Sequence, residues 1–148
     1  MVKMTHFINW PVNKKNSPGN NSNFTICLEG SQKYFASLEK WAISGLIKKK
    51  PVILKYINNA QANFSDCNIF YITENYNLEA YLMAAYEKPF LTISDRPGNA
   101  QRGVIVNFLK KGNNVGFEIN LDAAKNQGFV INPHLLKLAT IVSTQDGK

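Results

Sequence analysis

Hydrophobic and polar residues alternate along two neighbouring runs in the second half of the chain. The runs Val104–Leu109 and Val115–Ile119 are joined by Lys110–Asn114, and alternation on both sides of a Gly/Asn turn predicts a β-hairpin. An apolar, β-rich run comes just before them, from Phe90 to Ile93, and it breaks at Ser94–Gly98. This part of the chain therefore predicts a strand, a polar loop and a hairpin in succession.

Two asparagines after the hairpin stand where helices are expected to begin. Asn120 precedes a short helical segment, and Asn132 precedes Pro133. Asparagine is favoured at the N-cap, and proline is favoured at the first helical position. Both asparagines are therefore predicted to be helix caps.

The first half of the chain adds strands that alternate with helices. Strands are predicted at Phe24–Leu28, Val52–Ile57 and Ile69–Thr73, and a helix is predicted at about Leu78–Tyr86. A further helix is indicated by apolar residues at helical spacing, namely Tyr34, Phe35, Leu38, Trp41 and Ala42. Alternating strands and helices are typical of parallel βαβ units. We predict an α/β fold of three layers: a mostly parallel central sheet flanked by helices, with an antiparallel hairpin at one edge.

Length, composition and charge narrow the class of protein. A chain of 148 residues that is 45% hydrophobic fits a single domain over residues 1–148. No apolar run approaches the length of about 18–20 residues that spans a bilayer. The net charge is +7, but the basic residues are scattered, and only Lys48–Lys50 forms a run. Because that run precedes Pro51, we interpret it as a solvated turn and expect no nucleic-acid partner.

Polar residues follow three of the predicted strands. They are Glu29, Gly30 and Ser31, then Thr73 and Glu74, then Ser94, Asp95 and Arg96. In an open α/β sheet, ligands bind beyond the carboxyl ends of the strands, and nearby helix N-termini favour an anion. These residues thus predict a polar rim at the carboxyl edge of the sheet. Such a rim would bind a small polar ligand or contact a polar protein surface. The alternative is that Ser94 and Asp95 only cap the turn at Pro97–Gly98.

Arg102 and Glu118 form a second candidate pair. Alternation places Glu118 on the strand face opposite Phe117, where the Asn99–Gly103 loop is expected to cover it. A buried carboxylate without a partner is unfavourable, and the planar guanidinium of Arg102 suits a carboxylate. We predict a structural pair and not a catalytic one.

The two cysteines, Cys27 and Cys67, leave two alternatives open. One disulfide would suit an exported domain. However, Cys27 falls near the end of one predicted strand and Cys67 just before the start of another. If those strands are parallel neighbours, about five residues of rise, or roughly 15 Å, separate the thiols, whereas a disulfide needs α-carbons within about 7 Å. We therefore predict free thiols and no disulfide.

Motifs for catalysis or for metal and cofactor binding do not occur in the sequence. His6 and His134 lie far apart without metal-ligand spacing. The chain has no HExxH, CxxC or GxSxG motif and no glycine-rich phosphate loop. We expect no catalytic residue, no metal and no cofactor.

The succession of motifs along nearly the whole chain resembles a known family. The most specific motifs are SDRPGNAQRG at Ser94–Gly103 and FEINLDAA at Phe117–Ala124. Phe7–Pro11 resembles the end of that family's first helix, Phe24–Leu28 its first strand and Cys67–Ile72 its third. The family is the YfiR family of small periplasmic proteins that restrain a membrane-bound diguanylate cyclase.

The resemblance implies a non-catalytic periplasmic regulator. Such a protein binds and represses the sensor domain of an inner-membrane diguanylate cyclase, which controls cyclic-di-GMP and biofilm formation. The resemblance also implies a homodimer and an outer-membrane lipoprotein as a further partner. Family members carry a signal peptide and a first helix that starts further upstream, so we expect that this chain begins in the middle of that helix, with the leader removed and Met1 added. The alternative is a periplasmic small-ligand sensor or binding module for another membrane receptor or kinase, acting through the same rim.

Overall fold

The computed structural model describes residues 7–10, 24–29, 46–47, 50–57, 67–72, 78–85 and 90–143. The helix predicted around Tyr34–Ala42 and the rim residues Gly30, Ser31, Thr73 and Glu74 lie outside this part of the chain. The strands are β1 (Ile8–Asn9), β2 (Phe24–Glu29), β3 (Leu46–Ile47), β4 (Lys50–Ile57), β5 (Ile69–Ile72), β6 (Leu91–Ser94), β7 (Val106–Lys111), β8 (Asn114–Asn120), β9 (Val130–Ile131) and β10 (Thr140–Val142). The helices are α1 (Leu78–Ala85), α2 (Asn99–Arg102), α3 (Leu121–Asn126) and α4 (Pro133–Leu138).

A mostly parallel sheet forms the centre of the fold. Its described strands follow the order β10-β8-β7-β6-β5-β2-β4-β3. The strands β4, β2, β5, β6 and β7 run parallel to one another, whereas β8 runs antiparallel to β7 and β3 runs antiparallel to β4. The hairpin β7–β8 lies towards one edge, where β10 adds one more strand beside β8. The predicted α/β fold with a mostly parallel sheet is confirmed.

Apolar side chains cover both faces of the sheet. On one face, strand residues such as Ile26 and Ile93 pack against residues of β1, α3 and α4. On the other face, Phe70 packs against α1, with its ring 5.1 Å from that of Tyr81 in an edge-to-face arrangement. Because successive strand residues point to opposite faces, these two clusters account for the layers on either side of the sheet.

The segment before Trp10 differs from the expectation that the family resemblance suggested. Ile8–Asn9 is not the end of a helix but the short strand β1, which pairs antiparallel with Val130–Ile131 of β9. The backbone N–H of Asn132 donates to the carbonyl oxygen of Phe7 at 2.8 Å, and Ile8 is fully buried. Pairing with a segment more than a hundred residues away in the sequence therefore decides the local conformation.

The prediction of free thiols is wrong, because Cys27 and Cys67 form a disulfide with a Cα–Cα distance of 5.8 Å. The parallel register pairs Ile26 with Ile69, so β5 begins beside the middle of β2. The offset between Cys27 and Cys67 along the strands is therefore shorter than the sequence analysis assumed. In addition, the chain bends at Asn68. The Asn68 N–H donates to Thr25 O at 2.8 Å and the Thr25 N–H donates to Asn68 Oδ1 at 2.9 Å. The register and this bend together bring Cys67 against Cys27.

Candidate functional site at the carboxyl edge of the sheet

One row of residues crosses the sheet where β2, β5 and β6 end. The register pairs Glu29 with Ile72, Ile72 with Ser94, Ser94 with Asn107, and Asn107 with Glu118. Residues paired in this way project from the same face of a sheet, here the face that α1 covers. The polar members of the row are all buried, with Glu29 6% and Glu118 9% exposed. The predicted rim residues Glu29 and Ser94 therefore lie at one level, and the sequence reasoning missed Asn107.

The helix α2 folds over this row because the chain turns sharply after β6. Gly98 takes a left-handed conformation with φ of 87°, which glycine adopts without steric strain. The turn lets Asn99 Nδ2 donate to Ser94 Oγ at 2.7 Å. We refer to Ser94, Asn99, Gln101, Asn107 and Glu118 as the rim cluster.

Glu118 receives hydrogen bonds from two amide side chains in the rim cluster. Gln101 Nε2 donates to Glu118 Oε2 at 3.4 Å, and Asn107 Nδ2 donates to Oε1 at 3.5 Å. Asn107 Nδ2 also donates to the Arg96 carbonyl oxygen at the much shorter distance of 2.7 Å. Hydrogen bonds near 3.5 Å are weak, so these contacts compensate the carboxylate only in part.

The predicted pair of Arg102 and Glu118 is wrong. Arg102 instead forms an ion pair with Glu79 of α1, with 2.6 Å between the guanidinium nitrogen and Oε1. Successive side chains of a helix point about 100° apart, so Gln101 and Arg102 cannot face the same neighbour. Gln101 faces Glu118, and Arg102 reaches across to α1. The hydrogen bond and charge of Arg102 lower the pKa of Glu79 below its ordinary value.

Three amide oxygens of the rim cluster have no hydrogen-bond partner within the described part of the chain. They are Asn99 Oδ1, Gln101 Oε1 and Asn107 Oδ1. Asn99 and Asn107 are fully buried, and buried polar atoms are nearly always hydrogen-bonded in folded proteins. The rim cluster therefore combines a buried carboxylate with an excess of acceptor oxygens.

The Glu29 end of the row has a different chemistry. Tyr81 of α1 is 1% exposed. Burial and then the nearby charge of Glu29 raise the pKa of Tyr81 to about 12. The phenol is therefore neutral at ordinary pH. This makes it a packing and hydrogen-bonding group and not a general base.

Both predicted helix caps, Asn120 and Asn132, accept a hydrogen bond from a backbone N–H of the helix that follows. Asn120 Oδ1 accepts from the Ala123 N–H at 3.0 Å, and its Nδ2 donates to the Ala100 carbonyl oxygen at 2.7 Å. Asn120 thus caps α3 and also ties it to α2. Asn132 Oδ1 accepts from the His134 N–H at 2.8 Å at the start of α4. Asn132 is exposed, whereas Asn120 is fully buried.

A surface cleft lies beside the rim cluster, between α1 and α3. Its volume is about 340 Å³, and its lining includes Leu82, Met83, Gly103 and Ala123 together with the Arg102–Glu79 pair. No member of the rim cluster lines the cleft. The cleft and the rim cluster are therefore separate features.

Two of the predicted rim residues lie nearer the surface than the buried row. Of the other predicted rim residues, Asp95 is half-buried and Arg96 is exposed. Within the described ranges, no three His, Cys, Asp or Glu side chains are grouped so that they could hold a metal ion. Likewise, no described helix is long and apolar enough to cross a membrane.

Known proteins agree with this fold. A family model described as YfiR/HmsC-like matches residues 1–140. Among solved structures, one similar fold is the ABC domain in complex with L-Trp from Streptococcus pneumonia, with a TM-score of 0.60 and 12% sequence identity. The similarity covers 87% of this chain and 57% of that chain, so this chain spans little more than half of the other's length. At this low identity, the similarity concerns the fold alone.

Proposed function

We propose, from the premise that the chain belongs to the YfiR/HmsC-like family, that it is a non-catalytic regulator of a diguanylate cyclase. It would act in the periplasm, bind the sensor domain of an inner-membrane cyclase and hold that enzyme inactive. Cellular cyclic-di-GMP and biofilm formation would then rise when the regulator is released. The single observation that carries this proposal is the family match over residues 1–140.

The site chemistry supports a binding role. Most polar groups of the carboxyl edge are occupied by structural contacts, such as Asn107 with the Arg96 carbonyl and Asn120 with the Ala100 carbonyl. A general base must lie within hydrogen-bond reach of a substrate proton. Glu118 is 9% exposed and lies beneath Gln101. Such an arrangement suits a rigid scaffold better than an active site.

Repression by such a scaffold is a shift of population. A regulator that binds the inactive conformation of the sensor domain more tightly than the active one favours the inactive state by its difference in affinity. To move a cyclase from about 99% active to about 99% inactive, that difference must be about 10⁴-fold. The regulator needs no chemistry of its own.

The decisive experiment is deletion of the gene with measurement of intracellular cyclic-di-GMP. The deletion is expected to raise the nucleotide level and biofilm mass, and expression of the chain with an export leader is expected to reverse both. The matched control is the same chain without a leader, which should not complement because it never reaches the sensor domain. An unchanged nucleotide level in the deletion strain, with the cognate cyclase present, would refute the repressor function.

A second candidate is a small-ligand sensor for another membrane receptor or kinase. It is favoured by the polar row at the carboxyl ends of parallel strands, which is where α/β folds bind ligands. The similar fold described above was solved with L-Trp bound, so aromatic amino acids are the first compounds to test. Saturable stabilisation of the chain by such a compound, without effect on cyclic-di-GMP, would favour the sensor. An enzyme is the third candidate, and no observation favours it.

A further inference from the structure

We propose that two copies of this chain join through the outer edge of β10. The two β10 strands pair antiparallel about a two-fold axis, so that the central sheet continues from one copy into the other. The family resemblance implies a homodimer without indicating a surface, whereas β10 supplies both the surface and the symmetry. The proposal is independent of the proposed function, because it rests only on the strands at the two sides of the sheet.

The position of β10 is the first step. It is the last strand of the described sheet on one side. One edge of β10 pairs with β8, in a parallel register that sets Ile141 beside Ile119. No described strand pairs with the other edge, and Thr140 and Ile141 are exposed. An accessible edge strand presents backbone N–H and C=O groups with which a further strand can pair.

The opposite side of the sheet differs from β10 in its residues. There, β4 pairs with β3 only at Lys50 and Pro51. The connection between the two strands contains Lys48 and Lys49, and β4 contains a further lysine at Lys55. Lysine and proline on an edge strand oppose edge-to-edge association. The side of the sheet at β4 therefore carries features that prevent pairing with another chain.

The strand β10 lacks those features. It is short, with three residues, but Thr140, Ile141 and Val142 are all β-branched, and such residues favour strands. The uncharged run around it covers residues 138–145. Within that run, Leu138 is 76% and Ile141 45% exposed. Two large apolar side chains so close together at an accessible edge indicate a surface that another molecule covers.

The sequence of the edge suits a second copy of itself. An antiparallel alignment that overlaps the whole of β10 sets Ile141 opposite the second copy's Ile141, and Thr140 opposite the second copy's Val142. Facing β-branched side chains stabilise an antiparallel pair. Each copy carries a net charge of +7, so an uncharged contact surface avoids like charges face to face. The strand of a different protein would need charged groups to select it, and β10 has none.

The size of the contact sets its strength. Each copy contributes a strand of three residues and the apolar side chains beside it. Small interfaces give weak and reversible association, so we expect a Kd of about 10⁻⁵ M. Because the net charges of the two copies repel each other, added salt should tighten the dimer. A contact between opposite charges would weaken instead.

The test is analytical ultracentrifugation of the full chain with its disulfide intact. The chain should be monomeric at about 1 μM and mostly dimeric at about 500 μM, which is about fifty times the expected Kd. No larger species should form, because two-fold pairing uses the outer edge of both copies. A monomer at every concentration refutes the proposal. Polymers, or a dimer that salt weakens, show that the copies meet in another way and refute it too.

Substitutions locate the contact. Ile141→Lys sets like charges opposite each other at the two-fold axis, and Ile53→Lys makes the same change on β4, where Ile53 is 44% exposed. Ile141→Lys should weaken the dimer at least about tenfold, whereas Ile53→Lys should dimerise like the original chain. Circular dichroism at low concentration checks that both variants are folded. If Ile141→Lys keeps the original Kd, the copies join elsewhere and the proposal is wrong.

A mixture of two variants tests the symmetry. Ile141→Glu alone should also dimerise weakly, because its like charges face each other. An equimolar mixture of Ile141→Lys and Ile141→Glu should recover a dimer with one copy of each, since position 141 faces position 141 across the axis. Damage to the fold of either chain would not be repaired by mixing. A mixture that stays monomeric refutes the antiparallel alignment.

A milder substitution covers the case in which the charged variants do not fold. Ile141→Thr keeps the β-branched shape and removes apolar surface, and Ile53→Thr is its matched control. Ile141→Thr must weaken the dimer several-fold, whereas Ile53→Thr must leave its Kd unchanged. An equal effect of the two substitutions, or no effect of Ile141→Thr, overturns the assignment of the contact to β10.

Discussion

Reduction of the Cys27–Cys67 disulfide should lower the free energy of unfolding while leaving the native fold in place. The bond joins β2 to the residue pair just before β5, and both cysteines are fully buried. Its sequence separation is 40 residues. A cross-link of this length greatly restricts the unfolded chain.

The magnitude follows from the length of the closed loop. For a separation of 40 residues, the loop-closure relation gives a loss of roughly 4 kcal/mol on reduction. The native structure should change little on reduction, because hydrogen bonds also hold the segment around Asn68. Trp10 Nε1 donates to Asn68 O at 2.9 Å, and the Leu91 N–H donates to the same oxygen at 3.0 Å. Together with the two bonds between Asn68 and Thr25, these contacts remain when the sulfurs separate.

The assay is equilibrium unfolding in urea with and without a phosphine reductant. Because the disulfide is buried, samples must equilibrate through the unfolded state for reduction to be complete. We expect a lower extrapolated free energy and a larger m-value, since the reduced unfolded chain is more expanded. The double variant Cys27→Ala/Cys67→Ala is the control, and its unfolding curve should not respond to the reductant.

Two results would refute this reasoning. An unchanged free energy of unfolding, with both thiols shown to be free by mass spectrometry, would mean that the bond does not restrict the unfolded chain. Loss of the native circular dichroism spectrum in reductant without urea would mean that the Asn68 contacts do not hold the segment. In that case the disulfide would stabilise the native state directly.

Three further predictions concern caps, backbone strain and alkaline pH. Asn120→Ala removes a helix cap and leaves a buried carbonyl oxygen without its donor, so it should lower the free energy of unfolding by about 2–4 kcal/mol. Asn132→Ala removes an exposed cap and should lower it by about 1 kcal/mol. Urea unfolding of the two variants compares these losses directly. Gly103 has φ of 124°, so Gly103→Ala should destabilise by about 1–3 kcal/mol, and an unchanged Tm would contradict the strain. The pKa of Tyr81 is higher in the folded state, about 12, than the ordinary value of 10.0. The free energy of unfolding should therefore fall by about 2–3 kcal/mol as the pH rises from 10.0 to about 12. The Tyr81→Phe variant should lack this part of the loss.

Local signals in the sequence were sufficient for the parallel sheet, the hairpin and the helix starts. The caps at Asn120 and Asn132 depend on atoms only two or three residues away, so short-range chemistry determines them. The hairpin was predicted with boundaries a few residues different from Val106–Lys111 and Asn114–Asn120. Alternation identifies a strand better than it identifies where pairing begins, because pairing also depends on the neighbouring strand.

Contacts between distant segments were decided only by the tertiary structure. The disulfide depends on the register of β2 against β5 and on the bend at Asn68, and neither leaves a pattern in the sequence. The partner of Arg102 depends on the direction in which each side chain of the four-residue helix α2 points. The rim cluster arises because the register of β6, β7 and β8 sets Ser94, Asn107 and Glu118 side by side. Periodicity in the sequence predicts the strand to which a residue belongs and the face on which it lies. Its neighbour on that face is determined by the register between the strands, which is set when the core packs.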